Sequence, residues 1–329
     1  MTAPRDHGGG LDHAMASYGG ARADWLDLST GINPVPYPIG EIEAGDWTVL
    51  PDRAAQERLL DAARQFWNVP DDVAIVAAPG TSALITRMPE LSEQRAVHIP
   101  RPTYNEHAAA FALHGYSYED EPDAPVRVFV HPNNPDGQVW DRRVIYGDHK
   151  ELTIVDESFC DVTPGLSHMA QTREPGIVVL KSLGKFWGLA GLRLGFAMGR
   201  PHTLARFGCG AEDPVDLREM LGPWAVSGPA LRIGARALED QEWARKTRAR
   251  LARDAREMDA QVTAGGRAQL VGGTDLFRLY DVGDAARWQD HLARHKIWSR
   301  VFPYSTRWLR LGLPHRERRD QLRAALDGL

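Results

Sequence analysis

Six short runs, residues 73–77, 96–99, 126–130, 152–155, 177–180 and 194–198, are mostly apolar, broken only by His98, Arg127 and Thr153, and helix-like segments separate them. A strand with one face in water alternates apolar and polar side chains, whereas a strand covered on both faces reads as a near-continuous apolar run. Repetition of such runs between helical stretches predicts an α/β fold, a mostly parallel sheet with helices on both sides. From 53 to 67 the residues Ala55, Leu59, Ala62, Ala63 and Phe66 recur at helical spacing, and Asp52 stands where an N-cap belongs.

The pattern changes near 208–214. Long helices from about 229 to 262 follow, then candidate strands at 276–280, 297–301 and 308–313 and a last helix running to 329. At 329 residues the chain exceeds the size at which one core usually splits. The expected division is an amino-terminal arm, 1–40, that joins the smaller domain and covers the site; a large domain, 41–212; and a small α+β domain, 213–329.

Composition narrows the classes of function. A net charge of −5 leaves no general basic field, although arginine is dense between 245 and 256. There Leu251, Ala255, Met258 and Val262 share one helical face while the arginines alternate with Asp254, Glu257 and Asp259, the pattern of a solvated helix and not of a nucleic-acid patch. The two cysteines, Cys160 and Cys209, have no CxxC spacing, and no His-Glu-x-x-His occurs, so neither a disulfide framework nor a metal site is expected. No apolar run approaches the ~20 residues of a membrane span, and residues 1–10 lack a signal core, which points to the cytoplasm.

Chemistry concentrates around Lys185, in Ser182-Leu183-Gly184-Lys185-Phe186-Trp187-Gly188, with Arg193 eight residues on. A lysine in a poorly hydrated pocket loses part of its preference for the charged form, and the neutral amine can condense with an aldehyde to a Schiff base. A hydroxyl and a guanidinium close to it suit a phosphate. Pro79-Gly80-Thr81-Ser82, between a strand run and a helix, offers backbone N–H groups and hydroxyls to the same anion. Asp156 closes an apolar strand, where a carboxylate is costly unless a cation meets it. Taken singly these could be a surface lysine, an ordinary turn, and a helix cap or core ion pair. Ser182-x-x-Lys185 also matches the serine β-lactamase motif, but no Ser-Asp-Asn or Lys-Thr-Gly follows, and no dinucleotide or Walker loop is present.

These segments, together with His131-Pro132-Asn133-Asn134-Pro135-Asp136-Gly137 and Leu152-Thr153-Ile154-Val155-Asp156-Glu157, follow the order and rough spacing of the fold-type I enzymes that use pyridoxal 5′-phosphate. The chain resembles that superfamily over nearly its whole length. The resemblance implies a large domain with a seven-stranded, mostly parallel sheet and pyridoxal 5′-phosphate as cofactor. It implies Lys185 as the Schiff-base lysine and Asp156 against the pyridinium nitrogen. Asn134 would donate to the 3′-oxygen and Tyr104 would stack on the ring, while Gly80, Thr81, Ser82, Ser182 and Arg193 would hold the phosphate. Phe159 stands where many relatives carry a tyrosine that reaches the 3′-oxygen, and Leu50 where a tyrosine often reaches the partner subunit's phosphate. Arg310 sits where the superfamily places its arginine for the substrate carboxylate; strand alternation puts its rival Arg307 on the opposite face.

Both chain ends narrow the resemblance. His7-Gly8-Gly9-Gly10, the run Leu26-Asp27-Leu28-Ser29-Thr30-Gly31-Ile32-Asn33-Pro34, and Trp308-Leu309-Arg310-Leu311-Gly312 are similar to the threonine-phosphate decarboxylases of cobalamin biosynthesis, relatives of histidinol-phosphate aminotransferases. This implies decarboxylation of L-threonine O-3-phosphate to (R)-1-amino-2-propanol O-2-phosphate. His7, the N–H groups of Gly8 and Gly9, and Arg300 would hold the substrate phosphate; Asn33 and Arg310 would hold the carboxylate. It also implies a homodimer. An aminotransferase of the histidinol-phosphate type is the alternative, since it would use the same Lys185. A pyridoxal-phosphate-binding sensor without turnover is a third reading, disfavoured because no DNA-binding module precedes the domain.

Overall fold

The computed structural model describes residues 7–120, 124–147, 151–206 and 214–329. The expected boundary between 212 and 213, Cys209 and its Gly208-Cys209-Gly210 run, and residues 1–6 of the arm lie outside these. Contacts group the chain into two units, one of Tyr37–Asn134 and Val139–Arg245, the other of Met1–Pro36, Pro135–Gln138 and Lys246–Leu329. They are called here the sheet unit and the terminal unit.

The sheet unit is built on seven strands, β1 (Ala74–Ala78), β2 (Ala96–His98), β3 (Ser117–Tyr118), β4 (Val126–Val130), β5 (Leu152–Asp156), β6 (Ile177–Ser182) and β7 (Gly195–Gly199). Their order across the sheet is β1-β7-β6-β5-β4-β2-β3. Only β7 runs against its neighbours, pairing antiparallel with β1 and with β6. The six apolar runs are six of these strands, with ends within two residues of expectation; β3, two exposed residues at the edge, has no apolar signal to give. Val97, Val126, Val128, Ile154, Val178, Leu180 and Ala197 of the strands pack with Leu84, Ile85, Met88, Ala110 and Phe111 into one core. The interior also holds Arg127 on β4, whose guanidinium donates to the carbonyls of Val144 and Tyr146 at the end of the helix Arg142–Tyr146. The helix Arg53–Trp67 starts at Asp52, whose carboxylate accepts from the Ala55 N–H at 2.8 Å.

The terminal unit holds an antiparallel sheet of β8 (Gln269–Thr274), β9 (Phe277–Asp281), β10 (Arg300–Phe302) and β11 (Ser305–Gly312), in the order β8-β9-β11-β10. The single strand expected at 297–301 is two. Ile297–Trp298 pairs in parallel with Leu26–Asp27, and β10 pairs with β11, placing Arg300 opposite Arg310. Strand β8 was not expected; its Gly272 lets the turn at 135–138 approach, since a Cβ there would lie 2.1 Å from the Asp136 carbonyl oxygen. In the helix Gln241–Val262 the face Leu251, Ala255, Met258 and Val262 is buried as the spacing requires. Its arginines are not all solvated, however. Arg250 is drawn inward by two partners, Asn33 and Asp254, and Asp254 is itself buried. Among the described residues no helix is long and apolar enough to cross a membrane.

Candidate active site

Strand register brings the chemistry together. Val130 of β4 pairs with Asp156 of β5, Asp156 with Leu180 of β6, Ser182 with Gly195 of β7, and Gly195 with Ala78 of β1. The carboxyl ends of β1, β4, β5 and β6 therefore meet the amino end of β7 along one edge. The segments that continue from that edge carry Gly80, Asn134, Lys185 and Arg193. Ligands of open α/β sheets are received at such an edge. There Gly80, Thr81, Ser82, Tyr104, Asn134, Asp156, Phe159, Ser182, Lys185 and Arg193 line one concavity, so all nine expected cofactor contacts are gathered in the sheet unit.

Asp156 lies at its floor, 2 % exposed. Its Oδ1 accepts from the Ser158 N–H at 3.0 Å and hydroxyl at 2.5 Å, and its Oδ2 accepts from His107 Nε2 at 2.9 Å. Burial by itself would raise the pKa of this carboxyl, but the His107 and Ser158 hydrogen bonds outweigh it and hold the group below the ordinary aspartate range. A buried, ionised carboxylate is what a cationic ring nitrogen would meet. The sequence reading missed His107 and Ser158. A histidine three residues after Tyr104, on the helix Asn105–Leu113, was the available signal, and its ring stands edge-on to the Tyr104 ring at 6.1 Å.

The anion end is equally defined. Gly80 has φ +87°, and a Cβ on it would come within 2.6 Å of Arg193 Nη2, so the bare turn is what lets the guanidinium lie beside the backbone. Ser182 Oγ accepts from the Gly184 N–H at 3.1 Å, while the Thr81 hydroxyl donates to the Lys181 carbonyl at 3.1 Å and ties the turn to β6. Lys185 Nζ stands 5.3 Å from the centre of the Phe159 ring. An amine, an ionised carboxylate, an aromatic face and an anion cradle in one concavity fit pyridoxal phosphate in the chemistry of their donors.

Behind the edge lies a buried ion network. Lys181 Nζ is 2.6 Å from Glu157 Oε2 and 3.4 Å from Asp161 Oδ1. Asp161 also accepts from the indole N–H groups of Trp67 at 2.9 Å and Trp187 at 3.2 Å. Burial works against the Lys181 charge, but Glu157 and Asp161 more than offset it and push its pKa up. Glu157 further accepts from the Ser167 hydroxyl at 2.6 Å and the His168 N–H.

His7, Gly8, Gly9, Asn33, Arg300 and Arg310 all belong to the terminal unit. Arg310 is buried, and its Nη2 donates to the Ser29 carbonyl at 2.7 Å. Burial, with neighbouring Arg300 adding to it, brings the Arg310 pKa down to about 10. Ser29 Oγ accepts the Gly9 N–H at 2.7 Å and donates to Asp27 at 2.6 Å, so that N–H is engaged within the protein. Gly8 packs on the same residue: a Cβ there would meet the Ser29 carbonyl oxygen at 2.5 Å. Arg300 lies over the Phe302 ring at 5.4 Å. Arg307, the rejected rival, is exposed and pairs with Asp281.

Residues 23–328 match the model of the family Aminotransferase class I and II. The chain belongs to this family. Among its relatives are a threonine-phosphate decarboxylase from Sinorhizobium, 38% identical over 328 residues that cover 95% of this chain and 94% of that one, and a threonine-phosphate decarboxylase from Pseudomonas aeruginosa, 36% identical with 94% and 93% covered. In fold the chain is similar to a histidinol-phosphate aminotransferase from Sinorhizobium meliloti in complex with pyridoxal-5′-phosphate, with a TM-score of 0.80 at 18% identity over 99% of this chain and 95% of the other. This member of the aminotransferase family is thus a fold-type I chain whose similarity to decarboxylases runs nearly end to end.

Proposed function

We propose that the chain is a pyridoxal-phosphate-dependent threonine-phosphate decarboxylase that makes (R)-1-amino-2-propanol O-2-phosphate for cobalamin biosynthesis. The observation that carries the choice of reaction is the 38% identity to the Sinorhizobium decarboxylase across 95% of the chain. Bound pyridoxal phosphate supplies an aldehyde for the substrate amine and a conjugated ring that accepts the electron pair left when carbon dioxide departs.

The protein's part is positioning and charge. Lys185 would hold the cofactor through its ε-amine and would carry the proton that replaces the lost carboxylate on the substrate Cα. Asp156, its pKa held down by His107 and Ser158, would favour a protonated ring nitrogen. Tyr104 would cover a ring face and Asn134 would donate to the 3′-oxygen. Gly80, Thr81, Ser82, Ser182 and Arg193 bind the cofactor phosphate, Thr81 through its backbone N–H, because its hydroxyl is engaged by Lys181. His7, Gly8, Gly9 and Arg300 bind the substrate phosphate, Gly9 after exchanging its bond to Ser29, and Asn33 and Arg310 bind the carboxylate. Gripping the substrate at both its phosphate and its carboxylate would orient Cα, and that orientation would select decarboxylation over proton removal.

The exposed side chains of Trp47, Val49 and Leu50 support association of two copies, the homodimer we propose, and a cytoplasmic location goes with this reading. The deciding experiment supplies the holoenzyme with L-threonine O-3-phosphate, and separately with histidinol phosphate plus 2-oxoglutarate. Carbon dioxide release without a keto acid is expected. Glutamate formation would replace the decarboxylase by the aminotransferase, and binding without turnover of either substrate would leave a sensor.

A further inference from the structure

Asn33 is held by its carbonyl end. Its Oδ1 accepts from the Val35 N–H at 3.0 Å, and it accepts a second bond from Arg250 Nη2 at 2.7 Å. Two donors on one oxygen fix the rotation of a planar amide, so Nδ2 is turned to the side opposite Arg250. The other arm of the guanidinium is anchored in turn: Arg250 Nη1 lies 3.4 Å from Asp254 Oδ2, and Asp254 Oδ1 lies 2.6 Å from Arg319 Nη2. Asn33 and Asp254 are both buried, and the Arg250 side chain is 23% exposed. An arginine on an open helix face would keep its water. With one arm of the fork anchored on Asp254, the other gives up hydration for a directed bond to a neutral amide oxygen, which makes that contact a device for orientation.

We propose that Arg250 is a positioning residue for the substrate carboxylate: by gripping the Asn33 oxygen it presents the Asn33 amide N–H to the incoming anion. The proposal rests on the reading of Asn33 as a carboxylate ligand. A cation on the carbonyl oxygen polarises the amide and strengthens its N–H as a donor. It also sets the sign of what the carboxylate meets, because an amide rotated by half a turn would offer oxygen to oxygen. Arg250 thus acts through Asn33 and contributes to the discrimination between a substrate that has a carboxylate and a product that has lost it.

The test compares two ligands of the holoenzyme that share amine and phosphate. One is L-threonine O-3-phosphate, measured by KM and kcat; the other is (R)-1-amino-2-propanol O-2-phosphate, measured as a competitive inhibitor. In Arg250→Met the KM is expected to rise by about tenfold, the loss of ~1.4 kcal/mol of charge-assisted hydrogen bonding, while the inhibition constant of the product stays within about twofold. Asn33→Ala should show the same selective loss, and the double variant should lose nothing further. Arg250→Lys, which keeps the charge near Asp254 but lacks the fork that serves both partners, should also weaken only the substrate, and it carries the test if the methionine variant does not fold. Equal weakening of both ligands by the Arg250 variants, or of neither, alongside a selective Asn33→Ala, overturns the role of Arg250 alone. A non-selective Asn33→Ala overturns the Asn33 reading together with it.

Discussion

Asp156 shows how a residue can be legible in kind while its support is not. A carboxylate at the end of an apolar strand announces that some cation must meet it, but which atoms keep it ionised depends on a helix that starts 51 positions earlier, at Asn105. His107 sits on that helix among alanines and reads as core until the fold sets it 2.9 Å from the carboxylate. Substituting Asp156→Asn removes the charge and should lower kcat/KM by roughly 100-fold or more, measured by carbon dioxide release. His107→Phe should lower it less and leave the cofactor bound, which absorbance of the cofactor band would report. Lys185→Ala should abolish turnover and prevent borohydride from fixing the cofactor to the chain, a result read by intact mass. Arg250 is the opposite case, a residue whose sequence context, alternating charges on a helix, pointed to solvent. Only the long-range partner, Asn33, gives it another place.

At the scale of elements, the strands buried on both faces were readable because burial on both faces leaves short, mostly apolar runs, four or five residues long and rich in Val and Ile, too short for a buried helix. Elements that owe their existence to pairing were not. Strand β3 is two exposed residues on the edge, and β8 carries two poor strand formers, Gly272 because the turn at 135–138 comes close and Gly273 because a Cβ there would lie 2.3 Å from the Phe277 carbonyl oxygen. The expected strand at 297–301 broke in two because different segments compete for its halves. Helix starts follow a more local rule. Asp52 caps Arg53–Trp67 through the Ala55 N–H, and Asp52→Ala should cost about 1 kcal/mol, seen as a lower denaturation midpoint without change in the far-ultraviolet circular dichroism at pH 7.

For the molecule as a whole, one part of the grouping by contact could not be anticipated: residues 135–138 associate with the carboxyl-terminal part of the chain across more than a hundred positions. The association state is a matter of measurement: light scattering should return twice the chain mass of 36.5 kDa. Acid stability has a worked direction. Burial brings the His168 pKa down to about 4 from 6.5, so between those values the unfolded chain binds more protons than the folded one. Stability is therefore complete above about pH 6.5 and declines as the pH falls toward 4; thermal midpoints taken at steps across that interval should drop. The Asp161 carboxylate adds something useful to such measurements. One of the two indoles bonded to it belongs to Trp187, two positions from Lys185. Any event that loosens the lysine segment must alter the surroundings of that chromophore, and the emission of an unlabelled sample then records it in real time.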